Sequence, residues 1–284
     1  MMTYREAEDK LAKDLLQLYD VREASQISAW VMEFISGKNK SERLVAGRKD
    51  MNETELNHWK KIGGKLLNGE PIQYVLNEAP FMQWIFSVNP STLIPRPETE
   101  QLVEWILRDY PETTPKKVFD AGTGSGCIAI ALKAQRPSWQ IIAADKSEDA
   151  LATAQVNAQK IGVNISFIHI DLLDDSLVNW PEELELIVSN PPYIPYSEKS
   201  EMAKHVVDFE PDLALFVPDE EPLAFYLALG KAAKKRLLPG GRLYVEINQK
   251  FGQAVVDLFN AMNFTTVLLQ DYQGNDRLVR AIKS

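Results

Sequence analysis

With 284 residues, 45% of them apolar and 25% charged, the chain has the make-up of an ordinary soluble globular protein, long enough for one large or two modest domains. The charged start "MMTYREAEDK" offers no secretory signal, no apolar run approaches the roughly 18 residues of a membrane span, and one cysteine, Cys127, permits no internal disulfide, so a cytoplasmic protein away from membranes is expected. Twelve basic and twelve acidic side chains balance in residues 1–70, so the net charge of −9 falls in 71–284, without the basic excess expected of a protein that neutralises nucleic-acid phosphates.

Residues 1–70 read as a small helical bundle. Leu11, Leu15 and Leu18 recur at helical spacing, as do Ile27, Trp30, Val31 and Phe34, with Gly37 placed to end the second helix. Asn52 and Glu55 have the spacing of an N-cap and its returning carboxylate, opening a helix that carries Leu56, Trp59, Ile62 and Leu66. The basic cluster of Lys38, Lys40, Arg43, Arg48 and Lys49 reads as a solvated helix face or loop. Within residues 71–93, "PIQYVLNEAPFMQWIFSV" holds two β-prone runs around "NEAP" and predicts a hairpin joining two domains, with Phe81 and Trp84 as packing residues. A second domain is expected over 94–284.

That domain opens with "IPRPETE". Taken alone, Pro97 and the acids beside it are helix-start chemistry, ahead of Leu102, Val103, Ile106 and Leu107. From Lys116 the pattern alternates. Apolar strands "KVFDAG", "WQIIAAD", "ISFIHID", "LELIVSN" and "GRLYVEIN" interleave with helical segments at 126–136, 147–161 and 222–237. A helix near 251–262 and two closely spaced strands, "TTVLLQ" and "RLVRAI", follow. The fold class is therefore α/β, a doubly wound, mostly parallel seven-stranded sheet with an antiparallel edge pair.

In "VFDAGTGSGCIAIAL", Asp120, Gly122, Thr123, Gly124, Ser125 and Gly126 fall where the first strand turns into the first helix. Glycines there let the backbone approach a ligand, and the helix start offers unpaired N–H groups. Cys127 stands where a dinucleotide fingerprint would have its third glycine, which disfavours a dehydrogenase, and no Lys-Ser or Lys-Thr follows to make a P-loop. Asp145 ends the second strand, where a carboxylate can accept from ribose hydroxyls. Asp171 ends the third strand, where an acid can either receive an adenine amine or cap the loop, and Leu172 beside it can line the adenine pocket. An adenosine-bearing ligand without phosphates fits, and S-adenosylmethionine is such a ligand.

"SNPPYI", residues 189–194, halts the fourth strand with an amide and two prolines. Two prolines remove two donors and fix two φ angles. Asn190 and the carbonyl of Pro191 are placed to accept the two hydrogens of a flat NH₂ group, held still by Pro192, while Tyr193 can pack on its plane. Such a group is a poor nucleophile until its lone pair is aimed, and aiming needs alignment more than a strong base.

This run beside a glycine-rich loop is shared by amino-methyltransferases acting on DNA adenine and on protein glutamine. The further stretches "GEPIQYV", "LIPRPETE", "FEPDLALF" and "DYQGNDRLV" resemble the protein-(glutamine-N5) methyltransferases of peptide-chain release factors. The resemblance implies a class I methyltransferase fold and S-adenosylmethionine as donor, with S-adenosylhomocysteine as product and no metal. The acceptor it implies is the glutamine of the release factors' Gly-Gly-Gln motif. It also implies cofactor contacts from Gly122 through Gly126, Asp145 and Asn190, and a glutamine held by Asn190 to Tyr193. Arg96 and Glu98 would border the acceptor pocket, and the N-terminal bundle would help dock the protein substrate. Ribosomal-protein glutamine methyltransferases share much of this pattern. A DNA adenine methyltransferase would want a basic target-recognition region where this chain is acidic. A non-catalytic module is disfavoured by the intact Asn-Pro-Pro-Tyr run. The histidines, His58, His169 and His205, lack ligand spacing. Glu246, in the fifth strand, can orient the site or serve structure alone.

Overall fold

The helical part is built on capped amphipathic helices. In the computed structural model, which describes residues 2–174 and 176–284, α1 (Tyr4–Leu15), α2 (Val21–Ser36), α3 (Lys40–Ala46) and α4 (Glu53–Leu67) come first. Thr3, Asp20, Asn39 and Asn52 cap them, and Asn52 forms the reciprocal bond with Glu55 that its spacing predicts. Gly37 ends α2 in the left-handed conformation. Leu11, Leu15, Ile27, Val31, Trp59, Ile62 and Leu66 meet in one core. Leu18 and Phe34, expected with them, lie about half exposed, Leu18 because α1 has already ended at Leu15.

Two expectations are corrected here. Arg43 is not on a solvated face: it is buried, with Glu8 at 3.6 Å and Glu33 at 3.1 Å. A charge buried beside two acids is held inside by them, and no sequence period records that. The second correction concerns "IQYVL", which forms a short helix, α5 (Ile72–Leu76), with four of its five residues buried. The hairpin lies further on, β1 (Glu78–Phe81) and β2 (Trp84–Ser87), turning at Met82, which has a φ of +52°. A short apolar run buried on both sides has no period to separate helix from strand.

By its contacts the chain forms two units. One holds the chain as far as Glu78 together with Ala203–Phe209, and the other holds Ala79–Met202 and Glu210–Ser284. The returning segment includes α9 (Lys204–Val207), whose His205 ring faces Tyr19 at 6.2 Å.

The larger unit contains α6 (Pro97–Asp109), β3 (Lys117–Ala121), α7 (Cys127–Gln135), β4 (Gln140–Asp145), α8 (Glu148–Ile161), β5 (Ser166–His169) and β6 (Leu184–Ser189). After the two-residue β7 (Ile194–Pro195) come α10 (Asp212–Leu215), β8 (Phe216–Val217), α11 (Ala224–Arg236), β9 (Leu237–Glu246), α12 (Gly252–Ala261), β10 (Phe264–Gln270) and β11 (Asp276–Lys283). The seven-stranded sheet runs β10-β11-β9-β6-β3-β4-β5. Its five strands from β9 to β5 are parallel, and β11 and β10 close it antiparallel.

The central strands are apolar throughout because helices cover both faces; four of five β3 residues and five of six in β6 are buried. Each fully buried Phe119 or Leu186 contributes about 1.5–3 kcal/mol relative to an exposed side chain. The order reverses beside β3, whose neighbours are β4 and β6, and in such sheets the crevice beyond the strand carboxyl ends receives ligands. No helix among the described residues is long and apolar enough to cross a membrane.

Candidate active site

A cavity of about 350 Å³ lies at that crevice, within the larger unit. β3 ends in the glycine turn, where Gly122, Gly124 and Gly126 have φ of +78°, +54° and +83°. The amides of Gly122 and Thr123 both bond to the carbonyl of Ala144 at 2.9 and 2.8 Å, stitching the turn to the end of β4. Gly122, Thr123, Gly124 and Ser125 line the cavity.

Asp120 and Gly126, expected to touch the cofactor, support the turn from behind and are not among the lining residues. Asp120 is fully buried and accepts from Thr123 Oγ1 at 2.6 Å and Ala129 N at 3.2 Å with one oxygen, leaving its Oδ1 without a partner. Burial raises its pKa to about 7 against the pull of those two bonds, with the Asp145 carboxylate adding to the rise. Gly126 starts α7 where a Cβ would meet Ile130 at 2.9 Å and Ala154 at 3.1 Å, so it allows α7 and α8 to close together. Cys127 lies next in the wall, and burial pushes its thiol up to about 12, which removes it as a nucleophile.

Asp145 ends β4 on the cavity, one oxygen accepting from Gly124 N at 2.8 Å and the other from Ser147 N at 2.9 Å. Burial raises its pKa although those amides oppose the shift. Each oxygen keeps a second lone pair for a hydroxyl. Asp171 lies two residues beyond β5 and also lines the cavity; burial pushes its pKa up, but the ion pair with Lys146 at 2.7 Å and the Leu173 amide at 3.0 Å together bring it below the usual carboxylate value. Leu172 lies beside it, its Cδ1 3.6 Å from the place a Cβ on Gly122 would take. Two carboxylates, an apolar side chain and a turn bare of side chains at its glycines therefore share one cavity wall, a set of groups that suits an adenosine.

Asn190, directly after β6, lines the same cavity. Its Nδ2 donates to Thr99 Oγ1 at 3.1 Å, while its Oδ1 has no partner among the described residues and is not sealed from the cavity. Pro192 lines the cavity too, whereas Pro191, expected beside it in the site, is buried and is not among the lining residues. Tyr193 does not take the expected place on the cavity wall; its ring packs on the core and its hydroxyl donates to Glu246 Oε1 at 3.1 Å. Burial beside the Glu246 carboxylate drives its pKa upward.

Arg96 lines the cavity and pairs with the buried Glu210, which also accepts from Ile94 N at 3.1 Å. Glu98 is half-buried and is not among the lining residues. The far wall, Leu213, Ala214 and Phe216, comes from the "FEPDLALF" stretch, with Tyr196 stacked on Phe216 at 5.0 Å. Sequence reasoning missed Thr99, Glu210 and this wall, although each lies inside a quoted motif.

Residues 99–208 match the methyltransferase small domain, and residues 10–76 match the PrmC N-terminal domain. Among solved structures, a methyltransferase from Pyrococcus furiosus superposes with a TM-score of 0.54 at 14% identity, over 78% of this chain and 97% of its own. A 16S rRNA methyltransferase of T. thermophilus, in complex with AdoMet and guanosine, gives 0.52 at 17% identity over 73% and 50%. These two share the fold.

Curated relatives reach further. The release factor glutamine methyltransferase of Flavobacterium psychrophilum is 39% identical over 94% of both chains, and that of Enterococcus faecalis 40% over 86% of this chain and 87% of its own. That of Bacteroides thetaiotaomicron is 41% identical over 76% of this chain and 77% of its own. Identity at this level across almost the whole length, helical unit included, places the chain in the family of release factor glutamine methyltransferases.

Proposed function

We propose that this protein transfers a methyl group from S-adenosylmethionine to the side-chain amide nitrogen of the glutamine in the Gly-Gly-Gln motif of a release factor, in the cytoplasm. The observation that carries the reading is Asn190, fixed at the end of β6 with an unpartnered carbonyl on the cavity that Asp145 and the glycine turn share. When bound, S-adenosylmethionine supplies an electrophilic methyl carbon on a sulfonium. Gly122 to Ser125 would hold it through backbone approach, Asp145 through the ribose hydroxyls, and Asp171 and Leu172 through the adenine.

Asn190 Oδ1 accepts one hydrogen of the glutamine NH₂, and the carbonyl of Pro191, a buried residue that does not itself line the cavity, would have to be reached for the second. A neutral amide keeps its lone pair in conjugation, so both bonds serve to turn that lone pair toward the methyl carbon. The same two acceptors would favour the positive charge that develops on nitrogen as its bond to the methyl carbon forms and the carbon–sulfur bond breaks, its electron pair staying on sulfur; the proton would then pass to water, so no strong base is required. Tyr193 contributes from behind, its hydroxyl holding Glu246. The helical unit would add contacts to the protein substrate. The acidic balance of residues 71–284 supports a protein acceptor over duplex DNA.

Mass spectrometry of a release factor incubated with the protein and S-adenosylmethionine tests the reading. One added methyl on the Gly-Gly-Gln peptide is expected. An unmodified glutamine, or transfer to duplex DNA or to a ribosomal protein in its place, overturns it.

A further inference from the structure

Glu246, the last residue of β9, lies 1% exposed beneath the site and holds three groups from separate stretches of the chain. Its Oε2 accepts from Thr99 Oγ1 at 2.7 Å, its Oε1 from Tyr193 Oη at 3.1 Å, and its main-chain carbonyl from Tyr226 Oη at 3.2 Å. Thr99, in the first turn of α6 and 2% exposed, in turn accepts from Asn190 Nδ2 at 3.1 Å.

These bonds have a direction. With a hydroxyl donating to each of its two oxygens, the Glu246 carboxyl is an acceptor on both sides, and a threonine hydroxyl has a single hydrogen to give. Since Thr99 donates that hydrogen to Glu246, only its lone pairs remain for Asn190. Asn190 must then turn its NH₂ toward Thr99, which leaves Oδ1 on the cavity. An asparagine amide free of this constraint could rotate by a half-turn about its last bond and present NH₂ to the ligand instead.

We propose that Thr99 and Glu246 are positioning residues that fix the orientation of the Asn190 amide, so that the site accepts from a ligand that donates and discriminates against one that does not. The inference rests on the reading of Asn190 as the residue that receives the substrate amide. It deepens that reading into a rule of selection: a primary carboxamide, with two hydrogens to donate, is favoured over a carboxylate of the same shape, which has none.

The test compares wild type with Thr99→Val, Thr99→Ser, Glu246→Gln and Asn190→Ala. Three quantities are read: affinity for S-adenosylmethionine, single-turnover methyl transfer to a release factor, and the ratio of affinities for that release factor with glutamine and with glutamate in its Gly-Gly-Gln motif. Valine keeps the shape of threonine but neither accepts nor donates, so Thr99→Val should slow transfer by about 10–100-fold, as losing an orienting partner behind a ligand-binding side chain does elsewhere. It should also shrink the glutamine-to-glutamate ratio by about tenfold, because the freed amide can turn its NH₂ to a carboxylate. Thr99→Ser should restore both to within about threefold of wild type, since the hydroxyl returns. Glu246→Gln, which can donate where the acid could only accept, should shrink the ratio in the same direction.

Cofactor affinity should hold steady in the Thr99 and Glu246 variants, which separates a turned amide from a damaged fold. The inference is overturned if Thr99→Val and Glu246→Gln keep the wild-type rate and ratio while Asn190→Ala loses activity; the role of Asn190 then stands and the relay behind it does not. Should Thr99→Val fail to fold, the ratio in Glu246→Gln decides alone, unchanged discrimination counting against the proposal. A wild-type protein that leaves the glutamine unmethylated overturns both readings together.

Discussion

Replacing Asp120 with asparagine should flatten the dependence of folding stability on pH. The wild-type carboxyl is buried under the glycine turn, with its pKa raised to about 7 and one oxygen without a partner. In the unfolded chain it titrates near 3.9. The folded state therefore holds its proton more tightly, and stability falls wherever the folded protein binds more protons than the unfolded one. The contribution is intact below about pH 4, declines as pH rises through about 7, and is constant above that. Three pKa units at 1.36 kcal/mol each make the full decline about 4 kcal/mol. The asparagine side chain would keep an oxygen for Thr123 and Ala129 but place an unpartnered NH₂ where the free carboxylate oxygen lay, a pH-independent cost of about 1–3 kcal/mol. Asp145 and Glu246 are also raised by burial and tilt both proteins alike, so the difference between two profiles isolates Asp120. Urea unfolding followed by circular dichroism from about pH 5 to about pH 8 gives those profiles. That window spans about two of the three units, so wild type should lose about 2–3 kcal/mol more than Asp120→Asn across it; parallel curves would refute the buried, proton-holding state of Asp120.

Gly126→Ala places a Cβ within 2.9 Å of Ile130 and 3.1 Å of Ala154 at a φ of +83°, and should destabilise by about 2–4 kcal/mol in the same unfolding assay, from backbone strain and overpacking together. Cys127, raised to about 12 by burial, carries a thiolate fraction on the order of 10⁻⁵ at neutral pH, so a disulfide reagent should label it orders of magnitude more slowly in the folded than in the urea-unfolded protein. Asp145→Ala removes the acceptor of Gly124 N and the carboxylate facing the cavity, and should weaken S-adenosylmethionine binding by about 10–100-fold in calorimetry, the loss expected for a hydrogen bond to a charged group.

What the sequence made legible is what depends on local spacing. The parallel sheet shows as apolar runs alternating with helical segments, and its ligand-binding edge as the glycine turn, Asp145 and Asn190, each at or directly after a strand end. A cap such as Asn52 with Glu55 is likewise a three-residue relation. The relay behind the site is of another kind. Thr99 and Glu246 are 147 residues apart, and within its own segment Thr99 is one more residue of a helix start. Only the pairing of β9 with β6 and the docking of α6 bring them together. Asp120 and Gly126 illustrate the converse, because a motif marks both as ligand contacts while the fold uses them to brace and pack the turn. The helix at Ile72–Leu76 was hidden because burial of nearly every residue erases the polar face by which a segment announces itself, and Arg43 because the acids that hold it inside, Glu8 and Glu33, lie on other helices.

The account turns on a fixed carbonyl of Asn190 aiming a neutral amide, and single-turnover methyl transfer by Asn190→Ala, with cofactor affinity measured alongside, tests it most directly. Loss of one preorganised polar group should slow transfer by about 10²–10³-fold while S-adenosylmethionine still binds. Transfer at the wild-type rate with cofactor bound would contradict it.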